Sequence, residues 1–382
     1  MPSSDAPSHN APPLARVLPT ARLDRFKAID ILRAVAILLV MGRHMPVCPI
    51  ETSAVAHVIS KIWCMGGWIG VDLFFVLSGF LVSRLLFREH EKFGTISLKN
   101  FLFRRGFKIY PLFWLLIGVT ILVTFVSVGK IRPWDIMCEL LFVQNYGGAL
   151  WSHTWSLAVE EHFYILLVCL LWLLTRNRGE NVFGRLPMIC AVVCISCFLM
   201  RLTTGLVFPF SSKTHIFPSH LRLDSLFFGV LIAHWYSRNP MRFLQIGERY
   251  WKKAVVAGVL CLVPAFIYPI DAPLVSSVGI ASFCLGAGLI LFAMLSIKSP
   301  QGRVSDALAF IGKRSYSIYL WHYPVLKWLA PRVGIWLGTN NWFVFIAAYF
   351  VGSVVVGSVI SRLVEVPVLK LRDRWFPSLL KQ

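Results

Sequence analysis

Arg33 and His44 stand in one apolar run, Ile29-Asp30-Ile31-Leu32-Arg33 through Gly42-Arg43-His44. Eleven residues of α-helix advance about 1100°, or three turns plus roughly 20°, so the two side chains share a face about 16 Å apart along the axis. A guanidinium and an imidazole are both costly at bilayer depth. On one stripe of a membrane helix they point to a lined path, not to a lipid-facing surface. The ordinary histidine pKa of about 6.5 suits proton transfer near neutral pH.

Other polar residues recur inside or beside apolar segments. Asp72 and Ser78 lie at helical spacing in the second segment. A buried acid there needs a partner, for which a cation of the first helix and the His44 ring are candidates. Ser78-Gly79 suits close helix packing. Arg104, Arg105 and Lys108 stand at the basic mouth of the third segment. Glu160, Glu161 and His162 open the fourth, where acids complement a helix dipole. Arg222 and Asp224 flank the sixth and can pair with each other. Tyr316 and His322 lie on the ninth, six residues apart. About 240° separates them, so they are not expected to share one face, and His322 is a second candidate for proton chemistry.

The elements that must position these residues follow from composition. Of 382 residues 57% are hydrophobic and 15% charged, with mean hydropathy +0.68, too apolar for a soluble chain of this length. A bilayer core takes about 20 apolar residues per helix. Ten such segments are expected: 29–47, 67–86, 109–128, 157–175, 187–208, 222–238, 254–272, 275–296, 315–330 and 342–362. With the N-terminus in the cytoplasm, the alternating inner segments hold 28 of the 38 Lys and Arg and the outer loops 7. That is the positive-inside pattern. The net charge of +20 is therefore assigned to topology and not to nucleic acid. The expected fold is all-α and polytopic, with about ten transmembrane helices and both termini cytoplasmic. A disordered tail rich in Pro, Ser and Ala is expected over residues 1–25, ahead of one transmembrane domain over 26–382. The tail is not a secretory signal, since it has no apolar core followed by a cleavage site.

Among the nine cysteines, Cys190, Cys194 and Cys197 read as helix packing. Cys48 and Cys64 are candidates for a bridge in an outer loop. No Cys pair stands with partner ligands, so no metal is expected.

Six motifs together resemble the membrane-bound acyltransferase family 3. They are Ile29–His44, Gly70-Val-Asp72-Leu-Phe-Phe-Val-Leu-Ser78-Gly79-Phe80, Arg104-Arg105-Gly-Phe-Lys108-Ile-Tyr110-Pro111, Trp155-Ser156-Leu-Ala-Val-Glu160-Glu161-His162-Phe-Tyr164, Arg222-Leu-Asp224-Ser225-Leu-Phe-Phe-Gly229, and Ser315-Tyr316-Ser-Ile-Tyr319-Leu-Trp321-His322. The resemblance implies an integral-membrane enzyme that moves an acyl group, usually acetyl from acetyl-CoA, onto a hydroxyl of a carbohydrate or other extracytoplasmic acceptor. It implies His44 as general base or acyl carrier, with Arg33 and Glu161 as catalytic partners. Arg104, Arg105 and Lys108 would hold the phosphates of the donor, by bidentate forks for Arg and as a point charge for Lys. The family usually has Arg where Lys108 stands. Asp72, Ser78, Trp155, Glu160, Arg222, Asp224, Tyr316 and His322 are then acceptor-binding or supporting residues, and Trp155 and Tyr164 can stack on a sugar.

Near the C-terminus the family often shows Glu-Arg-Pro-Phe, where this chain has Glu365-Val366-Pro367-Val368. The expected setting is the bacterial cytoplasmic membrane, with acyl-CoA as co-substrate, no bound cofactor and glycan-assembly proteins as neighbours. No C-terminal hydrolase-like domain is expected. The alternative is a transporter using the same Arg, His and Glu as a proton or solute path. Against it stands the absence of repeat-related broken helix pairs.

Overall fold

The structure, a computed structural model, describes residues 13–176 and 182–377, with side chains from residue 27 onward. Of the tail expected over 1–25, residues 1–12 lie outside the described residues, and the first helix is traced from Pro13.

Seventeen helices and no strands are present among the described residues. In the first half they are α1 (Pro13–His44), α2 (Ala54–Gly66), α3 (Ile69–Phe93), α4 (Leu98–Val128), α5 (Pro133–Leu140), α6 (Trp155–Arg176), α7 (Leu186–Val207) and α8 (Ser212–His215). The second half holds α9 (Leu223–Arg238), α10 (Pro240–Leu262), α11 (Pro264–Ile267), α12 (Ile280–Ser296) and α13 (Arg303–Lys313). It ends with α14 (Ser315–Pro324), α15 (Ala330–Trp336), α16 (Trp342–Ile360) and α17 (Val366–Trp375). Single π-turns at Val275–Gly279, Val325–Leu329 and Ser361–Glu365 lead into α12, α15 and α17.

Each of the ten expected segments overlaps a helix, although the one expected at 254–272 is displaced, since α10 starts at Pro240 and 268–272 is not helical. Seven helices are long and apolar enough to cross a membrane. The three others fall short for separate reasons. α1 carries Asp30, Arg33 and Arg43 within its apolar part, and α9 has 16 residues. α14, with the π-turn and helix that continue it, mixes Tyr316, Tyr319, His322, Lys327 and Arg332 among its apolar residues. These three are wrapped by the apolar helices. Ala28, Ala34, Ala36, Ile37 and Met41 of α1 are fully buried, as are Leu226, Val230 and Ala233 of α9 and Ile318 and Leu320 of α14. At the periphery, the span containing α10 is 11% buried and that containing α16 is 17%, against 72% for α3. Val192, Ile195 and Leu199 on α7 and Val351, Val355 and Val359 on α16 stay exposed at helical spacing, the stripe a helix presents to hydrocarbon.

The interior helices approach closely where side chains are absent. α3 and α9 cross at Gly79 and Gly229. A Cβ on Gly79 would lie 2.0 Å from the Leu226 carbonyl oxygen, and one on Gly229 2.2 Å from that of Val76. Both neighbours are backbone and cannot rotate away, which is the small-residue packing expected of Ser78-Gly79. The bridge weighed for Cys48 and Cys64 is absent, for both are free thiols. The Cys64 thiol donates to the Arg43 carbonyl at 3.3 Å, and the Cys48 backbone N–H to the Ser60 hydroxyl at 2.9 Å. Gly79→Ala is expected to lower the melting temperature of the detergent-solubilised protein, whereas Gly118→Ala, which would meet nothing within 4 Å, leaves it unchanged. Equal melting of the two variants would contradict the close crossing.

Candidate active site

α1, α3, α4, α6 and α14 enclose a cavity of about 110 Å³ lined by Arg33, Ser78, Arg105, Lys108, Glu160 and Tyr316, among others. Three cations face a single carboxylate there. Arg33 Nε donates to the Ser315 hydroxyl at 3.1 Å, the Arg105 guanidinium lies 4.5 Å over the Tyr164 ring, and Lys108 makes no ion pair among the described residues. The Tyr164 hydroxyl donates to Glu160 at 2.6 Å and lies 2.6 Å from the Ser78 hydroxyl, which is left to donate to it. The Tyr316 hydroxyl donates to the Ile109 carbonyl at 2.7 Å, fixing α14 against α4.

A second cavity, about 480 Å³, opens further along α1, at its C-terminal end. His44, His153, Trp155, Arg222 and Tyr323 are among its lining residues. The His44 ring lies 5.3 Å from that of His322 and 4.7 Å from that of Tyr323, and His153 lies 5.0 Å from His322. His322 Nδ1 is 2.6 Å from the Tyr319 carbonyl. A carbonyl only accepts, so Nδ1 carries the proton, and the neutral ring presents a bare Nε2. That Nε2 and both ring nitrogens of His153 have no hydrogen-bond partner among the described residues. Three imidazoles thus gather at one end of the bundle, His44 and His153 on the cavity wall and His322 fully buried behind them, lining neither cavity.

Residues 26–362 match a family described as Acyltransferase domain. The chain belongs to this acyltransferase family. It is 28% identical over 330 residues to a protein of Staphylococcus aureus strain COL provisionally named an O-acetyltransferase, covering 79% of this chain and 50% of that protein. It is 27% identical over 379 residues to the peptidoglycan O-acetyltransferase OatA of Listeria monocytogenes, covering 90% of this chain and 56% of that one. With the O-acetyltransferase OatA of Staphylococcus aureus strain NCTC 8325 it shares 26% over 297 residues, 69% of this chain and 47% of the relative. The chain spans about half the length of the curated relatives it matches. No solved structure matches it.

Within this acyltransferase fold the expected site residues separate. Arg33, Ser78, Arg105, Lys108, Glu160 and Tyr316 line the first cavity, and His44, Trp155 and Arg222 the second. Arg104 lines neither. It pairs with Asp373 at 3.1 Å and donates to the Phe376 carbonyl, tying α4 to the end of α17. Glu161 also lies outside both linings and accepts from the Tyr110 hydroxyl at 3.0 Å. The carboxylate that faces a cavity is its neighbour Glu160, one helical step of about 100° away. Asp72 pairs with Arg222 at 2.6 Å, not with α1, and Asp224 with Arg201 at 2.6 Å, not with Arg222. Trp155 stacks on Phe217 at 5.1 Å.

His153 is the residue that sequence reading missed. It lies two positions before Trp155, in a 3₁₀ turn of Ser152–Thr154, and its only sequence signal was a histidine bordering a motif. Glu139 of α5 holds that turn in place. Its Oε1 accepts from the Leu150 N–H at 3.0 Å, the Trp151 N–H at 3.4 Å and the Thr154 hydroxyl at 2.9 Å. Burial outside the long apolar helices pushes this carboxyl from 4.5 up to about 7. The folded chain therefore binds the proton more tightly than the unfolded one. The contribution to stability is complete below about pH 4.5 and is lost as pH rises through about 7. Melting in detergent between about pH 5 and pH 8 is expected to show this decline, and Glu139→Gln to flatten it. An unchanged slope in Glu139→Gln would assign the pH dependence elsewhere.

Proposed function

We propose that this chain is an integral-membrane O-acyltransferase that moves acetyl from acetyl-CoA to a hydroxyl of an extracytoplasmic carbohydrate. The observation that carries the reading is the pair of successive cavities along α1, one cationic around Arg33 and one rich in imidazole around His44. The surplus of positive charge in the first suits a polyanion, and Arg105, Lys108 and Arg33 are placed to hold the phosphates of a nucleotide thioester. The imidazoles of the second suit a neutral hydroxyl that must lose its proton. The names of the relatives support acetyl as the group and a cell-wall glycan as the acceptor class.

In this reading His44 draws the proton from the acceptor hydroxyl as its oxygen bonds to the acyl carbon. The C–S bond breaks, and the proton ends on the departing thiolate. His322, held in one tautomer by the Tyr319 carbonyl, positions His44. The distribution of Lys and Arg supports ten spans with both termini cytoplasmic, so that the Arg33 cavity faces the acyl-CoA pool and the His44 cavity faces outward. The bacterial cytoplasmic membrane and neighbouring glycan-assembly proteins follow from that acceptor class.

Acetyl-CoA-dependent thiol release and loss or retention of acetyl groups on surface glycans test the reading. His44→Ala is expected to insert normally and to reduce transfer by at least about 100-fold. Wild-type transfer by that variant would refute the assignment, and solute flux in liposomes without thiol release would point to a transporter. Arg105→Ala is expected to raise the KM for acetyl-CoA about tenfold, with Arg104→Ala much closer to wild type, because Arg104 is committed to Asp373. A larger KM effect from Arg104 would reverse the donor assignment.

A further inference from the structure

Among the described residues the two cavities have two lining residues in common, Val71 of α3 and Tyr319 of α14. The barrier between them is one side chain thick. Tyr319 is 6% exposed and Val71 8%, so neither cavity reaches far past them. The tyrosine ring is held at both ends. Its hydroxyl donates to the His153 carbonyl at 2.6 Å, which leaves its oxygen to accept from the Ser156 hydroxyl, also at 2.6 Å. Its backbone carbonyl accepts from His322 Nδ1. On the α3 side Phe74 meets the ring edge-on at 6.2 Å.

Resting on the acyltransferase reading, the wall poses a chemical problem. A thioester in the Arg33 cavity and a hydroxyl in the His44 cavity cannot bond through a closed ring. With the ring absent, water from the larger cavity would reach the same carbonyl carbon. Its oxygen would bond there, the C–S bond would break, and the proton would end on the thiol, releasing acetate and free CoA. Transfer then requires a barrier that is shut while the acceptor site holds only water and that yields when an acceptor fills it.

We propose that Tyr319 is this gate, with Ser156 and the His153 carbonyl as its latch and Val71 as the fixed half of the wall. The gate is a specificity device, deciding between a carbohydrate hydroxyl and water. It also places His153 in a second role, since the residue whose ring faces the acceptor cavity supplies the carbonyl that holds the gate. Tyr319→Phe keeps the ring and removes the latch, Tyr319→Ala removes both, and Val71→Ala widens the passage on the opposite side.

Two measurements separate the gate from the function. Purified full-length protein in lipid nanodiscs is given acetyl-CoA without acceptor, and thiol release is followed. In parallel, the same variants are returned to a deletion strain and the acetyl groups on its surface glycans are measured by mass spectrometry. Wild type is expected to restore acetylation and to release little thiol. Tyr319→Phe and Val71→Ala are expected to release thiol several-fold faster than wild type, and Tyr319→Ala at least tenfold faster, with fewer acetyl groups transferred per thiol released. A variant that is merely misfolded loses both rates together. If wild type restores acetylation but Tyr319→Phe and Val71→Ala release thiol at the wild-type rate, the gate is refuted and the acyltransferase reading stands. If wild type neither restores acetylation nor releases thiol, the function itself is refuted.

Discussion

Arg222 and Asp72 lie 2.6 Å apart with neither side chain exposed, and the geometry of the cavity that His44 lines depends on that pair. Asp72 Oδ1 also accepts from the Ser225 hydroxyl at 3.0 Å, so one carboxylate gathers the start of α9 onto the start of α3. A second buried pair, Arg201 with Asp224, ties α7 to the same turn, and Arg201 also donates to the Leu221 carbonyl at 2.6 Å. Removing one partner from such a pair leaves an uncompensated buried charge, at a cost of about 3–5 kcal/mol. Two arginines and two aspartates thereby fix the entry to α9, and with it the Arg222 flank of the cavity that His44 lines. Three further cations, Arg33, Arg105 and Lys108, gather around the other cavity, while the His44 cavity holds one besides Arg222, namely Arg43, which donates to the Cys64 carbonyl at 3.0 Å.

A division of labour among the helices follows from the cost of charge in hydrocarbon. A stretch of helix that carries chemistry is turned away from lipid. α1 holds Arg33 and His44, α9 carries the Asp224 anchor, and α14 holds Tyr319 and His322. These are the three helices that fail as membrane spans by length or composition. α4, α7, α10 and α16 supply the apolar exterior that shields them. α4 serves in both capacities, with Trp114, Leu122 and Phe125 exposed along one part and Arg105 and Lys108 turned inward at its start.

The parts of this arrangement set by local periodicity were legible in the sequence. The eleven-residue spacing of Arg33 and His44 put both on one face, and they line successive cavities along α1. The apolar segments overlap every long helix, but the basic first half of α10, Pro240 to Lys253, read as a loop. What periodicity cannot supply is the rotation of a helix about its own axis within the bundle. Glu160 and Glu161 are adjacent, and only packing against α3 and α4 decides that Glu160 meets Tyr164 and the cavity while Glu161 meets Tyr110. Pairing across the chain is equally hidden. Asp72 finds its partner 150 residues away, and Arg104 is drawn off by the carbonyl of Phe376, 272 residues distant.

The short helix α14 shows how the two cavities are kept in register. Contrary to the expectation from sequence, Tyr316 and His322 share a face, since their separation of about 240° is about 120° the shorter way round. Ser315, Tyr316, Tyr319, His322 and Tyr323 fall within about 120° of arc on an ideal helix, and Tyr316 to Tyr323 covers about 10 Å of axis. One face therefore touches the Arg33 cavity at its start, forms the wall at its middle and reaches the histidines at its end. Such a face works only if the helix can neither turn nor slide. Three hydroxyls oppose both motions: Tyr316 to the Ile109 carbonyl, Ser317 to Glu365 at 2.7 Å, and Tyr319 to the His153 carbonyl. Glu365 sits in the π-turn that ends α16 and also accepts from Ser361 at 2.8 Å, so its neighbours Val366 and Val368, which depart from the family's usual residues, leave the anchoring carboxylate in place. Directly after Pro324 a second π-turn, Val325–Leu329, shifts the helical register. π-turns concentrate at functional sites because the extra residue re-aims the side chains that follow. Here it ends the working face immediately after Tyr323, and the chain beyond it is released from the register that the two cavities impose.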